Sequence, residues 1–171
     1  LGRSNSTIKS LRKVIPSINS PLVLDGDSLF AIGENFSVDH DNETTIILTP
    51  HDQEFEYVTG RRPSKNRIKD VQEASQRMNV VMLLKGPVTI IGNPDGRCFI
   101  VTAGDERLAT AGTGDVLSGI IGGMLAQGVA PLEAATIGAW VHGQASKRCS
   151  KFGMVASDLL KPISEVLDET Y

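Results

Sequence analysis

The pattern of apolar positions along the chain predicts short strands that alternate with amphipathic helices. Apolar runs bounded by Pro, Gly or charged residues are typical of buried strands, and we expect strands over 21–25, 44–48 and 79–84. Two further runs flank Asn-Pro-Asp-Gly and predict a β-hairpin near 88–101, because Asp-Gly favours a tight turn. Helices are expected over 7–15, over 64–78 with Ser64 as the N-cap, and from Asp115, from Pro131 and from about Ser157.

This order of elements favours an α/β fold in which a mainly parallel sheet is flanked by helices. In such sheets ligands bind beyond the carboxyl ends of the strands. The polar motifs of the chain stand at strand ends or helix starts, so we expect them to converge on one edge of the sheet. A length of 171 residues suits a single domain, and we expect residues 1–171 to form it.

Composition narrows the classes of partner. The net charge of −3 gives no basic surface for nucleic acid, and the longest apolar runs are far shorter than the ~20 residues that span a bilayer. Residues 1–20 are polar and lack the pattern of a signal peptide. Cys98 and Cys149 have no metal-ligand spacing, so we expect reduced thiols. These features predict a cytoplasmic protein that binds small molecules.

The most informative segment is Ala111-Gly-Thr-Gly-Asp115, which leads into an apolar helix. Gly112 and Gly114 would let the backbone adopt positive φ and approach a ligand closely. The free amides of the first helical turn favour an anion, so this segment predicts an anion hole. A carboxylate at that place would suit a base that takes a proton from a hydroxyl attacking phosphorus. The alternative is a Gly-rich turn in which Asp115 is simply the helix N-cap.

Four other motifs occur with Gly-Thr-Gly-Asp. They are Val-Leu-Asp-Gly-Asp-Ser-Leu (23–29), Leu-Thr-Pro-His-Asp-Gln-Glu-Phe (48–55), Leu-Lys-Gly-Pro-Val-Thr (84–89) and Ala-Trp-Val-His-Gly-Gln-Ala (139–145). This ordered set resembles the ribokinase-like superfamily, and within it the ADP/ATP-dependent NAD(P)H-hydrate dehydratases. The resemblance runs nearly end to end. It implies a ribokinase-like fold and the repair of hydrated NADH or NADPH.

The resemblance also implies roles for individual residues. Asp115 would be the catalytic base and would contact the substrate, together with Gly2 and His51. The nucleotide would lie on Lys85, Gly86, Pro87, Val88, Thr89 and Gly114, with the anion hole formed by Ala111, Gly112, Thr113 and Gly114. ADP or ATP would be the co-substrate, and Mg²⁺ would neutralise its phosphates without direct protein ligands. Water on that Mg²⁺, or the substrate, would contact Asp25, Asp27 and Glu54.

Each of these side chains also has a simpler interpretation. Asp25 and Asp27 could be turn formers beside Gly26. Glu54 could complement the dipole of a first helical turn, and Lys85 could be a solvated strand end. We expect His142 to be a core residue or to lie behind the site.

The chain departs from the family pattern in one segment and begins abruptly. Gly104-Asp-Glu-Arg-Leu-Ala109 stands where the family has Asn-Pro-Gly-Met-Ala, which puts the nucleotide preference in doubt. Leu1-Gly2-Arg3 matches the end of a family Gly-Pro-Gly-Leu-Gly-Arg loop. We therefore expect that the chain begins inside a substrate loop, lacks the front of the domain, and forms a homo-oligomer that buries an open sheet edge.

Two other functions are compatible with the same residues. One is a ribokinase-like kinase that acts on a vitamin or a hydroxymethyl compound. The other is a non-catalytic module that binds nucleotides. The Thr-Pro-His and Asp-Gly-Asp motifs favour the dehydratase.

Overall fold

The computed structural model describes residues 2, 4–33, 35–37 and 45–170, and a five-stranded sheet lies at its centre. Neighbours in the sheet follow chain order, and every strand except β4 runs in the same direction. The mainly parallel α/β fold and the hairpin near 88–101 are thus confirmed. The strands are β1 (Leu22–Leu24), β2 (Ile46–Leu48), β3 (Val81–Leu84), β4 (Thr89–Gly92) and β5 (Cys98–Val101).

Helices cover both faces of the sheet because its central strands are apolar on both sides. In β3, Val81 and Leu83 belong to one core cluster, whereas Met82 and Leu84 belong to the other. The first cluster packs against α5 to α7, and the second packs mainly against α2 to α4. The helices are α1 (Asn5–Val14), α2 (Leu29–Ile32), α3 (Asp52–Thr59), α4 (Arg67–Met78), α5 (Thr113–Ala126), α6 (Pro131–Lys147) and α7 (Leu160–Asp168).

Helix boundaries differ from the expected ones where a different side chain caps the helix. The N-cap of α4 is Asn66, whose side chain accepts a hydrogen bond from the Lys69 amide at 3.3 Å, so the assignment of Ser64 was wrong. The last helix follows a 3-10 turn at 156–159, so it begins later than expected. Pro131 does open α6, where its missing N–H costs no hydrogen bond.

A close glycine contact brings α6 against the segment that follows β5. A Cβ atom on Gly143 would lie 2.6 Å from the Gly104 nitrogen and 2.7 Å from the Ala103 carbonyl carbon. Only glycine permits this approach, which places the neighbouring His142 beside the carboxyl edge of the sheet.

The structure tests the expectations for the two cysteines and for membrane spans, whereas parts of two other expected segments lie outside the described residues. Cys98 and Cys149 are free thiols, and burial raises the pKa of both. Over the described ranges, no helix is long and apolar enough to cross a membrane. Leu1, Arg3 and the start of the strand expected at Thr44 lie outside the described residues.

Candidate active site

A charged cluster lies at the carboxyl edge of the sheet, where β1, β2 and β3 end side by side. The Lys85 ammonium donates to Asp25 Oδ1 at 2.6 Å and lies 3.7 Å from Glu54 Oε2. All three side chains are mostly buried, and Glu54 is only 5% exposed. Because parallel strands end at the same edge, residues 60 positions apart in the sequence meet there.

His51 and Glu54 form a capping box at the start of α3. The His51 Nδ1 atom accepts from the amides of Gln53 and Glu54 at 3.2 and 3.3 Å, and Glu54 Oε2 accepts from the His51 amide at 2.9 Å. Because Nδ1 is an acceptor, any N–H of the neutral ring is on Nε2, which lies 3.4 Å from Glu54 Oε1. His51 thus begins a helix, while half of its side chain remains exposed.

The first turn of α5 faces this cluster. A Cβ atom on Gly114 would lie 3.1 Å from Asp25 Oδ2 and 3.5 Å from Lys85 Nζ, so any side chain there would press against this ion pair. Asp115 follows on the exposed side of the helix. Its carboxylate makes no hydrogen bond or ion pair with any residue that the structure describes, and it is therefore available to accept a proton.

The geometry of this turn corrects two details of the predicted anion hole and contradicts the alternative in which Asp115 is the N-cap. Only Gly112 has positive φ (87°), because Gly114 is already helical. Gly112, not Asp115, occupies the N-cap position. The Thr113 amide donates to the Thr110 carbonyl at 3.3 Å, so it is not free for a ligand. Among the described contacts, the amides of Gly114 and Asp115 have no partner and remain available to an anion.

A cleft of about 690 Å³ extends from this turn along the end of β3 and the start of β4. Lys85 and Gly114 line one end of it. Pro87, Leu108 and Leu117 form an apolar part of its wall, and His142 also lines the cleft. The other lining residues are Gly86, Thr89, Gly104, Asp105, Glu106, Ala109 and Thr113. A concave site with charged groups at one end and apolar walls at the other suits a phosphorylated organic ligand.

Comparison with known proteins agrees with this geometry. A family model described as NAD(P)H-hydrate dehydratase matches residues 1–168. The chain belongs to this family. A bifunctional NAD(P)H-hydrate repair enzyme from Moorella thermoacetica is 34% identical over 174 residues, which are 98% of this chain and 33% of the relative.

Solved structures share the fold. The ADP/ATP-dependent NAD(P)H-hydrate dehydratase from Bacillus subtilis, co-crystallised with ATP and Mg²⁺, is 29% identical with a TM-score of 0.87, over 100% of this chain and 62% of that chain. A ribokinase-like superfamily protein from Enterococcus faecalis is 24% identical with a TM-score of 0.82, over 98% and 60% of the two chains. The expected ribokinase-like fold is thereby confirmed. This chain spans about a third of the Moorella relative and less than two thirds of the two solved chains.

The structure brings together only part of the site expected for a member of the dehydratase family. Asp25, Glu54, Lys85 and Gly114 meet directly. Asp27 does not join them, because it lies in a 3-10 turn after β1, where its Oδ2 atom accepts from the Gly2 amide at 2.9 Å. The expectation that Asp25 and Asp27 face the same way along a strand was therefore wrong.

Within the nucleotide segment, Val88 differs from its neighbours. It does not line the cleft and is 39% exposed, whereas Lys85, Gly86, Pro87 and Thr89 all line it. Arg67, which no sequence motif indicated, supports this segment. Its guanidinium binds both oxygens of Asp52 at 2.7 and 3.0 Å and donates to the Lys85 carbonyl at 3.3 Å.

The segment that departs from the family pattern folds into a 3-10 turn whose charges largely pair with one another. Asp105 caps this turn by accepting from the Arg107 amide at 3.0 Å, and it pairs with the Arg107 guanidinium at 2.5 Å. Glu106 stays mostly exposed at the rim of the cleft. Its only described ion pair is a long and exposed one, with Lys151 Nζ at 3.9 Å from Glu106 Oε1.

His142 is buried, with 5% of its surface exposed, and it lines the cleft. The sequence does not indicate this position, because a single histidine in a helix of small residues matches no functional motif. Burial lowers the pKa of His142 to about 4, a hydrogen bond to the Thr113 backbone opposes this shift, and Lys85 adds to it. The ring is therefore neutral at physiological pH.

We expect this buried ring to make folding stability sensitive to acid. Below pH 6.5 the unfolded chain protonates His142, whereas the folded protein does so only near pH 4. The neutral His142 therefore makes its full contribution to the free energy of unfolding above pH 6.5. This contribution decreases by about 3 kcal/mol in total as the pH falls toward 4. Urea unfolding of the native protein and of His142→Gln across this range measures the difference, and a difference that stays constant with pH would contradict the assignment.

Proposed function

We propose that this protein is an ADP- or ATP-dependent NAD(P)H-hydrate dehydratase, and that residues 1–171 form its nucleotide- and substrate-binding unit. The observation that carries the proposal is the juxtaposition at Gly114. One cleft contains a partly buried lysine and two free amides at a helix start, and it adjoins a carboxylate that has no partner among the described residues. Such a set is what transfer of a phosphoryl group to a hydroxyl requires.

The chemistry follows from these positions. The Asp115 carboxylate accepts the proton of the hydroxyl that hydration added to the nicotinamide ring, and the hydroxyl oxygen attacks the terminal phosphorus. The bond from that phosphorus to the bridging oxygen breaks, which releases AMP from ADP or ADP from ATP. The new phosphate ester then leaves as inorganic phosphate with its C–O bonding electrons, and the neighbouring ring carbon loses a proton, which restores the reduced nicotinamide.

The protein supplies the electrostatic support for this transfer. The amides of Gly114 and Asp115 point at the phosphate from a helix start, where the dipole favours negative charge. Lys85 neutralises charge at the same end of the cleft. Its ammonium group, which now contacts Asp25, would then contact both that carboxylate and the phosphate. Gly112 allows the sharp entry of the chain into α5 that exposes these amides.

Mg²⁺ is proposed to arrive with the nucleotide and to contact this site through water. Asp25 and Glu54, which converge on the Lys85 ammonium, are the carboxylates nearest to it. Two carboxylates at the phosphate end can hold the hydration shell of an ion that arrives with the nucleotide. When bound, Mg²⁺ would neutralise the charge of the transferred phosphate.

On the substrate side, His51, Gly2 and Asp115 are proposed to contact the hydrated dinucleotide, NADHX or NADPHX. The half-exposed His51 ring can donate from Nε2 to a substrate oxygen because Nδ1 is engaged with the backbone of α3. Gly2 lies against Asp27, which places both beside the end of β1. The proposal includes a cytoplasmic location, where these dinucleotides are used.

The decisive experiment follows the absorbance of reduced nicotinamide at 340 nm. Purified protein is mixed with hydrated NADH or NADPH, Mg²⁺ and either ADP or ATP. A dehydratase restores the absorbance and releases inorganic phosphate. Nucleotide consumption with no rise in absorbance would instead indicate a small-molecule kinase, and binding without turnover would indicate a non-catalytic module.

A homo-oligomer is also proposed, because one edge of the sheet is open. Within the described residues, strand β5 pairs with β4 alone, and its Phe99 and Ile100 side chains are 44% and 52% exposed. An exposed apolar edge strand favours association with another chain. Light scattering should therefore give a mass of at least two chains, and a monomer at assay concentration would contradict this part of the proposal.

A further inference from the structure

An apolar groove of about 720 Å³ lies between the edge strand β5 and helix α6. Ile100, Ile137 and Trp140 line it, and more than a third of each residue's surface is exposed. Single exposed apolar side chains are common on folded proteins, but several that line one groove form a patch, and such patches typically mark interaction sites. Neither Ile137 nor Trp140 lines the nucleotide cleft, so this surface is separate from the proposed active site.

Helix α6 presents this surface as one narrow stripe. Only four of its 17 residues are exposed, and these are Glu133, Ile137, Trp140 and Lys147. Their spacings of four, three and seven residues place them on one face of the helix, because seven residues make nearly two turns. The stripe is therefore acidic at the start of α6, apolar in the middle and basic at its end.

The two charges stand at equal distances from Trp140. Glu133 comes seven residues before it and Lys147 seven residues after it, so each lies about 10 Å from Trp140 along the helix axis. When two copies of α6 lie antiparallel with Trp140 at the centre, Glu133 of each copy lies opposite Lys147 of the other. A two-fold axis forms every contact twice, so the stripe is complementary to itself. A parallel arrangement would instead bring like charges together.

Both charges are available for such contacts. Lys147 forms no ion pair with any residue that the structure describes. Glu133 Oε1 lies 3.9 Å from Arg97 Nη1, and this arginine already pairs with Asp95 at 2.7 Å. About half of the Glu133 side chain is exposed. A cation from a second chain can therefore reach Glu133 without breaking a close ion pair.

We propose that two copies of this chain associate through α6 about a two-fold axis at Trp140, with the helices antiparallel and with Glu133 of each copy paired to Lys147 of the other. Trp140 and Ile137 form the apolar centre of the contact, where large aromatic side chains contribute most to binding. The groove beside α6, with Ile100 on its opposite wall, receives apolar side chains of the second copy. This inference rests on the homo-oligomer in the proposed function and adds its contact surface and its symmetry.

Charge reversal tests the pairing. Glu133→Lys and Lys147→Glu each convert two attractive contacts per dimer into two repulsive ones, so we expect each variant to raise the dimer dissociation constant about tenfold or more. Sedimentation equilibrium on the full chain measures this constant, and thermal melting reports whether each variant is folded. Lys9→Glu is the matched control, because it reverses an exposed lysine on α1 and should leave the constant unchanged. Native-like association in both stripe variants would overturn the inference.

Mixing the two stripe variants distinguishes the antiparallel arrangement from any other. In a mixed dimer of one Glu133→Lys chain and one Lys147→Glu chain, both contacts again join opposite charges. An equimolar mixture should therefore regain native-like affinity, and so should the double variant, in which both charges are reversed. Variants that dissociate singly and stay dissociated when mixed would overturn the inference.

Trp140 provides an independent signal, because it is the only tryptophan in the chain. In the proposed dimer its ring leaves water, so its fluorescence emission should shift to longer wavelength as the native protein is diluted through the dissociation constant. If the mass fell from two chains to one with no change in emission, Trp140 would lie outside the contact and the inference would be overturned.

Failure of this inference can be told apart from failure of the proposed function. Glu133 and Lys147 do not line the nucleotide cleft, so recovery of absorbance at 340 nm tests the catalysis separately. A protein that restores reduced nicotinamide but sediments as a single chain overturns the dimer and leaves the catalysis in place. A native dimer without dehydratase activity overturns the proposed catalysis, and the charge variants still decide the contact surface.

Discussion

Replacing Asp115 with Asn should reduce turnover of hydrated NADH by about 10²–10⁴-fold, the usual range for loss of a general base. The amide has the shape of the carboxylate but cannot accept the substrate proton. The native carboxylate has no partner among the described residues, so its replacement breaks no interaction that the fold needs. Nucleotide affinity and melting temperature should therefore change little.

The control for this variant is Asp168→Asn, which removes the same charge from the exposed end of α7. Initial rates from the 340 nm assay, with nucleotide affinity measured by calorimetry, separate a chemical effect from a binding effect. An Asp115→Asn protein with near-native turnover would rule out Asp115 as the base.

Replacing Gly114 with Val should abolish nucleotide binding while the protein remains folded. A Cβ atom there would already lie 3.1 Å from Asp25 Oδ2, and the two further methyl groups of valine would enter the space beside Lys85 Nζ. The Asp25–Lys85 pair and the bound phosphate would both be displaced. We expect a loss of ADP affinity of about a hundredfold or more, the scale that a displacement of about 1 Å can cause at a reacting centre.

Gly122→Val is the matched control for this substitution. It lies on the same helix, and a Cβ atom there would meet nothing within 4 Å. Any general effect of a β-branched residue on α5 therefore appears in both variants, whereas the loss of binding should appear only in Gly114→Val. Unchanged ADP affinity in Gly114→Val would contradict an anion site at this turn.

The two substitutions test different parts of the proposed mechanism. Asp115→Asn leaves the phosphate site in place and removes the proton acceptor, so it should affect turnover and not affinity. Gly114→Val blocks the phosphate site, so it should affect affinity first. If both variants lost binding equally, the separation of roles between these adjacent residues would be wrong.

Local patterns in the sequence determined the elements and several of the side chains in the site. Apolar runs that end in polar residues marked the strands, Asp-Gly marked the hairpin, and Pro131 marked the start of α6, because these signals act over a few neighbouring residues. The ordered motifs also indicated the family, since they occur in the same succession along the chain.

Tertiary structure decided which of these residues meet and what each contact requires. Asp25, Glu54 and Lys85 converge because three parallel strands end at one edge, while Asp27 turns away into a 3-10 segment. Gly114 leaves space beside the Asp25–Lys85 ion pair, and its φ angle is not positive. No local sequence pattern reveals this role, because the ion pair comes from distant segments. The packing of α6 is likewise a tertiary feature, because Gly143 lets this helix approach Gly104 and Ala103, which are distant from it in the sequence.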